Sequence, residues 1–259
     1  MHIKEVVATL ERFAPLPLQD SYDNAGLQVG LTGSEELSGV MLCLDVRENV
    51  LEEAAHLGCN LIVSHHPLLF RPLKQLTERT EVERCVRSAV LKNIALYAAH
   101  TNLDNAHGGV NFMMAEKLKL QNVRFLRPMP GQNAGSGAIG ELPEKLSPEA
   151  FTNLVKEVFH APGLSHNVTT KQAIQTVALC GGAGSFLLDD AIEAGADAFL
   201  TGEMNYHQYF GHEKELQILV AGHYETEQFT VELLRRILTK AHPGLRIFET
   251  TCETNPVKK

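Results

Sequence analysis

The sequence predicts an α/β fold of two pseudo-equivalent lobes built from βαβ units, and three observations carry that expectation. Residues 40–64 (VMLCLDVRENVLEEAAHLGCNLIVS) recur as residues 177–201 (VALCGGAGSFLLDDAIEAGADAFLT) without a gap, at an offset of 180 − 43 = 137 when Cys43 is set on Cys180. A second motif repeats behind each copy: IALYAAHTNLD at 94–104 and QILVAGHYETE at 217–227, each an apolar run followed by His-x-x-x-acid. Between the copies, residues 127–148 are rich in Gly and Pro, the composition of a connection. The lobes are therefore expected at about 1–126 and 139–259, with a linker at about 127–138.

The elements follow in order. MHIKEVVATLERF places Ile3, Val6, Val7, Leu10 and Phe13 at helical spacing, which reads as a folded helix and not as a signal peptide. In DNAGLQVG, Asp23 and Asn24 are turn formers before a short strand. Each long repeat has the grammar strand, loop, amphipathic helix closed by a glycine (Gly58, Gly195), strand. A crossover helix of that kind implies parallel strands. The second motif pairs His100 with His223 and Asp104 with Glu227 at an offset of 223 − 100 = 123, so the second copy carries a deletion between its motifs. GAIGEL fits a further strand, and Ser147-Pro148-Glu149 fits a helix start with Ser as N-cap and Pro at the first helical position. The tail TNPVKK is expected to be loosely ordered.

Composition narrows the function classes. The chain has 259 residues, 44% hydrophobic and 21% charged, enough to bury a substantial core. A formal net charge of −8 with no Lys/Arg cluster disfavours a duplex nucleic-acid binder, which needs a concentrated basic face. No apolar run approaches membrane-spanning length. Five cysteines without a CxxC pair are expected as reduced thiols of a cytoplasmic protein. Twelve histidines against no tryptophan is the compositional anomaly, and several of them fall at strand ends.

Ligands of open α/β sheets gather outside the carboxyl ends of the parallel strands. LIVSHHP, YAAHTNLD and VAGHYETE each deliver imidazole or carboxylate there, which makes His65, His66, His100, Asp104, His223 and Glu227 a metal-site inventory, expected in the cleft between the lobes. Side chains alternate along a strand, so His65 and His66 face two different ions unless the chain turns between them. Glu227 or Asp104 has the two oxygens needed to bridge a pair of ions. Imidazole with carboxylate suits zinc, iron, manganese or nickel, so two divalent ions per chain are the expected cofactors. Thr201-Gly202-Glu203 stands where the first copy has Ser64-His65-His66, which makes Glu203 a candidate base, substrate contact or helix-capping acid. GGAG at 181–184, between a strand and a helix, is a candidate anion cradle through its amides.

SYDNAGLQVG at 21–30, IVSHHP at 62–67, AAHTNLD at 98–104, ADAFLTGEMNYH at 196–207 and GHYETE at 222–227 together resemble the signature of the Ngg-interacting-factor-three-like family. Its bacterial members carry the label GTP cyclohydrolase I type 2 homologue. The resemblance implies a two-lobed α/β fold without an inserted domain, a dinuclear metal centre and a toroidal homo-hexamer. It implies His65, His66, Asp104, His223 and Glu227 as metal ligands, with Glu227 bridging, His66 and Asp104 on one ion, His65 and His223 on the other, and His100 as a near neighbour.

A metal-dependent hydrolase is the expected function, with Glu203 and His100 as candidate catalytic proton carriers and a small-molecule substrate for which a nucleotide is the candidate. Ring-opening of GTP is the reaction the family label implies. A non-catalytic metal-binding, metal-delivery or regulatory protein is the alternative, and a nuclease or phosphatase a third.

Overall fold

The computed structural model describes residues 1–30 and 35–258. The chain forms two compact units: Met1–Leu103 with Thr230–Pro256, and Asp104–Phe229 with the tail from Val257. The first unit opens with α1 (Ile3–Phe13), β1 (Gly26–Val29), β2 (Val40–Cys43), α2 (Glu48–His56), β3 (Leu61–Ser64), α3 (Glu81–Leu91) and β4 (Ala95–Ala98), and α4 (Thr101–Asp104) crosses the boundary. The second holds α5 (Val110–Lys117), β5 (Gln121–Pro128), β6 (Gly135–Leu146), α6 (Pro148–Val158), β7 (Ser165–His166), β8 (Ile174–Cys180), α7 (Leu188–Glu193), β9 (Ala198–Thr201), β10 (Gln217–Val220) and α8 (His223–Glu227). The chain then returns to the first unit as α9 (Thr230–Ala241) and β11 (Ile247–Glu249). Among the described residues no helix is long and apolar enough to cross a membrane.

The first unit is a five-stranded sheet in the order β1-β4-β3-β2-β11, parallel except for β1 against β4. Every residue of β2, β3 and β4 is buried, as expected for parallel strands covered on both faces. Met41, Ile62 and Leu96 pack with Val50, Leu51 and Ala54 of α2 and Cys85 and Ala89 of α3. α1 buries Ile3, Val6 and Leu10, the helical stripe read from the sequence, and packs on α9. Tyr97 is fully buried, and among the described residues its hydroxyl has no hydrogen-bond partner. Tyr97→Phe is therefore expected to stabilise the protein by about 1 kcal/mol, because it removes a desolvated hydroxyl without opening a cavity. Thermal denaturation checks this as a rise in Tm.

The second unit is a six-stranded sheet in the order β5-β6-β8-β9-β10-β7, with β8, β9 and β10 parallel at its centre. The internal repeat is visible in the strand register. Val40 pairs with Leu61 in the first unit and Val177 with Ala198 in the second, both at the offset of 137. The second motif shifts slightly: Ser64 pairs with Ala98 and Thr201 with Val220, so the strands are offset by 220 − 98 = 122 while the histidines are offset by 123. One extra residue thus separates strand from histidine in the second unit. His100 precedes its short helix, whereas His223 is the first residue of α8.

Two expectations need correction. Residues 127–138 are not a linker: β5 runs to Pro128 and β6 starts at Gly135, paired antiparallel with Arg127 opposite Ser136. Nor is the first residue of the TNPVKK tail loose: buried Thr254 donates its hydroxyl to Asp45 Oδ2 at 3.2 Å. Just before the tail, Thr251 donates to Glu53 through its amide (3.0 Å) and hydroxyl (2.6 Å). Burial of Glu53 opposes ionisation, but hydrogen bonds from Thr250, Thr251 and Cys252 outweigh it and hold the carboxyl at about 2. The helix start at Ser147 is as expected, its Oγ accepting from the Ala150 amide at 3.1 Å.

Candidate metal centre

In the first unit β3 ends at Ser64, and the chain bends immediately. The Ser64 hydroxyl donates to the His66 carbonyl at 2.8 Å, while the His65 and His66 amides donate to the Cys43 and Leu44 carbonyls. The bend overrides strand alternation. The His65 and His66 rings lie 4.9 Å apart between centroids, and His100, just beyond β4, lies 5.3 Å from the first and 5.5 Å from the second. Each of these three imidazoles offers one nitrogen within 4.8 Å of the others. His65 is fully buried, and the other two are half-buried.

The outward-turned nitrogens fix the tautomers. His65 Nδ1 lies 2.8 Å from the Ala99 carbonyl, which only accepts, so Nδ1 carries the proton and Nε2 the lone pair. His66 Nδ1 lies 2.8 Å from Asp45 Oδ1, and His100 Nδ1 lies 2.7 Å from Asp23 Oδ1. Both acids are held ionised. Burial opposes this at Asp23, but hydrogen bonds from His100 and Thr101 bring its pKa down to about 2. At Asp45 burial is again outweighed, by His66 and Thr254, and the pKa falls below the ordinary carboxylate value. Ionised carboxylates accept, so Nδ1 donates in both pairs. Imidazoles anchored through one nitrogen by a carboxylate or carbonyl are the usual form of metal-ligating histidine.

Sequence reasoning missed Asp45 and read Asp23 only as a turn former. A signal existed for Asp45, which follows β2 by two residues and so sits at the carboxyl end of a parallel strand, like His65 and His66.

In the second unit, His223 Nδ1 lies 2.9 Å from Glu203 Oε1, and His223 Nε2 lies 3.1 Å from Glu227 Oε2 one helical turn on. Glu203 is exposed and Glu227 buried. Two glycines clear the space for this pair. A Cβ on Gly182 would stand 2.2 Å from Glu227 Oε1, and one on Gly202 would stand 2.6 Å from the Gly182 carbonyl and 2.9 Å from His223 Cα. Three of the four amides of GGAG, the candidate anion cradle of the sequence, are engaged within the fold. Gly181 N donates to Asn111 Oδ1, Gly182 N to Thr226 Oγ1 and Gly184 N to Thr201 Oγ1, which leaves the loop committed to shaping the Glu227 pocket. Asp104 ends α4, half-buried, with its carbonyl accepting from Asn111 Nδ2 at 3.1 Å, and it is not part of the three-imidazole group.

A family model described as Duf34/NIF3 (NGG1p interacting factor 3) matches residues 1–256. The chain belongs to this family. It is 35% identical to the "GTP cyclohydrolase 1 type 2 homolog" of Lactococcus lactis over 99% of this chain and 98% of that one. Among solved structures it matches reduced HcgD from Methanocaldococcus jannaschii at 29% identity and TM-score 0.81, covering 97% of this chain and 98% of that one. The Bacillus cereus protein related to NIF3 has the same fold, at TM-score 0.88, 24% identity and coverage of 100% and 99%. In this Duf34/NIF3 chain the motif DNAGLQ thereby gains a structural role: its Asp23 holds His100, and its Asn24 and Gln28 hold Leu69, beyond the histidine pair.

Proposed function

We propose that this protein is a metal-dependent hydrolase with a dinuclear centre whose ligands are His65, His66, Asp104, His223 and Glu227. The observation that carries the reading is the group of three imidazoles in the first unit, each held through Nδ1 and each offering one nitrogen within 4.8 Å of the others. The Glu227 pocket adds support, because Gly182 leaves room for a carboxylate at a place a side chain would fill. This donor set of imidazole and carboxylate fits zinc, iron, manganese or nickel. Two divalent ions bound there would supply a Lewis acid and an activated water.

The protein's own groups then divide the work. Asp23 fixes the His100 ring, so that its Nε2 takes a proton from the attacking water and the carboxylate stabilises the imidazolium. Glu203 lies 2.9 Å from His223 Nδ1, which supports a positioning role for it beside the catalytic role considered from sequence. With the Gly181, Gly182 and Gly184 amides engaged internally, GTP as substrate rests on the name of the curated relatives. The assembly is proposed to be a homo-hexamer, which light scattering in solution checks.

The test is turnover by metal-reconstituted protein. Release of formate from GTP, and hydrolysis of generic esters and phosphodiesters, are followed for wild type and His66→Ala. We expect metal-dependent hydrolysis of at least one class, lost in the variant. Full metal occupancy with no hydrolysis in any class would instead support a metal-binding or metal-delivery role.

A further inference from the structure

The DNAGLQ segment does more than hold His100. Asn24 Nδ2 donates to the Leu69 carbonyl at 2.6 Å, and the Leu69 amide donates to Gln28 Oε1 at 2.8 Å, so the loop after β3 is clamped at Leu69 both to the loop before β1 and to β1 itself. The Asp20 amide donates to Thr101 Oγ1 at 2.9 Å, and the Tyr22 hydroxyl donates to Asp20 Oδ2 at 2.9 Å. These bonds set one aromatic ring beside an imidazole and a second beside the first. Phe70 meets His100 edge-on at 6.2 Å, and Tyr22 meets Phe70 edge-on at 6.4 Å. Both rings face solvent, Tyr22 with 64% and Phe70 with 42% of its surface exposed.

Charge completes the picture. Arg71 follows Phe70 directly, and Lys74 lies three residues further on. Both are exposed, and among the described residues neither makes a hydrogen bond or an ion pair. By contrast Arg47, Arg84 and Arg127 are each paired with a carboxylate. Asp20 and Asp23 on the Tyr22 side are already engaged by Tyr22 and by His100 and Thr101.

We propose that Tyr22 and Phe70 form a stacking wall for a planar conjugated ring, and that Arg71 and Lys74 hold an anionic group carried by that ring. This deepens the hydrolase reading, on which it rests, by naming the class of substrate: a phosphorylated or carboxylated heteroaromatic. Aromatic faces accept any flat π-system, and a clamped loop loses little freedom when it binds one. The wall selects the shape, and the cations select the charge.

Metal-loaded full-length protein is titrated with guanosine monophosphate, flavin mononucleotide and pyridoxal 5′-phosphate, each beside its dephosphorylated form, with inorganic phosphate as the anion-only probe. At least one phosphorylated ring is expected to bind about tenfold or more tighter than its dephosphorylated form and than phosphate. Tyr22→Ala and Phe70→Ala should each weaken that binding by roughly tenfold, while Tyr22→Phe retains it. Arg71→Ala should reduce the affinity for the phosphorylated ring and leave the dephosphorylated one unchanged. Circular dichroism and metal content of every variant separate lost recognition from lost folding or lost metal. If wild type takes up no metal, the hydrolase reading fails, whereas the titrations still report on the wall. The proposal is overturned if none of the three phosphorylated rings binds, or if Tyr22→Ala and Phe70→Ala bind as wild type. It is equally overturned if those variants change the subunit number, which would make the wall an interface between copies.

Discussion

Gly182→Ala is expected to strip the chain of metal while leaving it folded. Gly182 has φ +57°, and an added Cβ would fall 2.2 Å from Glu227 Oε1 and 3.2 Å from His223 Cε1. The backbone penalty for alanine in the left-handed region is about 1–2 kcal/mol, well below the stability of an ordinary domain. The carboxylate, at the end of a flexible side chain, is what must yield, and it swings out of its pocket. Metal content per chain by elemental analysis should fall at least tenfold, with Tm lowered by only a few degrees. Gly202→Ala provides the contrast. Its Cβ would meet the Gly182 carbonyl at 2.6 Å and His223 Cα at 2.9 Å, both backbone atoms, so this change should damage folding as well as binding. A Gly182→Ala protein that keeps its metal would remove Glu227 from the ligand set.

The second large effect separates His66 from His100. Both rings are held by an ionised aspartate, yet the proposed roles differ: ligand for His66, proton carrier for His100. Losing the carboxylate behind a ligating histidine typically costs 10- to 100-fold in metal affinity. Asp45→Asn should therefore weaken metal binding by roughly that factor, whereas Asp23→Asn should leave affinity nearly unchanged and lower kcat about 100-fold. Competition titration with a chromophoric chelator measures the first quantity and steady-state turnover the second. Equal loss of metal in both variants would make His100 a third imidazole ligand and return the proton-transfer role to another group.

The sequence carried the fold through its repeat. A constant offset of 137 over strand, helix and strand can persist only if both copies build the same unit, and the paired registers of Val40 with Leu61 and Val177 with Ala198 follow from it. The histidines were legible for the same reason, since strand ends are local features. The groups that orient them were not. Asp45 reaches His66 across 21 residues, Asp23 reaches His100 across 77, and Thr254 reaches Asp45 across 209, separations that leave no local spacing to detect. Gly135 misled in another way. Read as linker composition, it marks crowding: a Cβ there would stand 2.5 Å from the Arg127 carbonyl and 2.9 Å from Phe125 Cβ. Close approach of backbone and loop flexibility both select glycine, and only the packing tells them apart. The GGAG loop repeats the lesson, its amides being bonded to side chains and its missing Cβ atoms giving space to Glu227.

Metal content per chain, measured on purified wild type and Glu227→Ala side by side after reloading with zinc, iron, manganese or nickel, tests the dinuclear centre most directly. We expect about two ions per wild-type chain, with occupancy collapsing when Glu227, the proposed bridging ligand, is removed. No appreciable metal in wild type under any of these conditions would contradict the dinuclear centre and leave the histidine cluster without the role assigned to it.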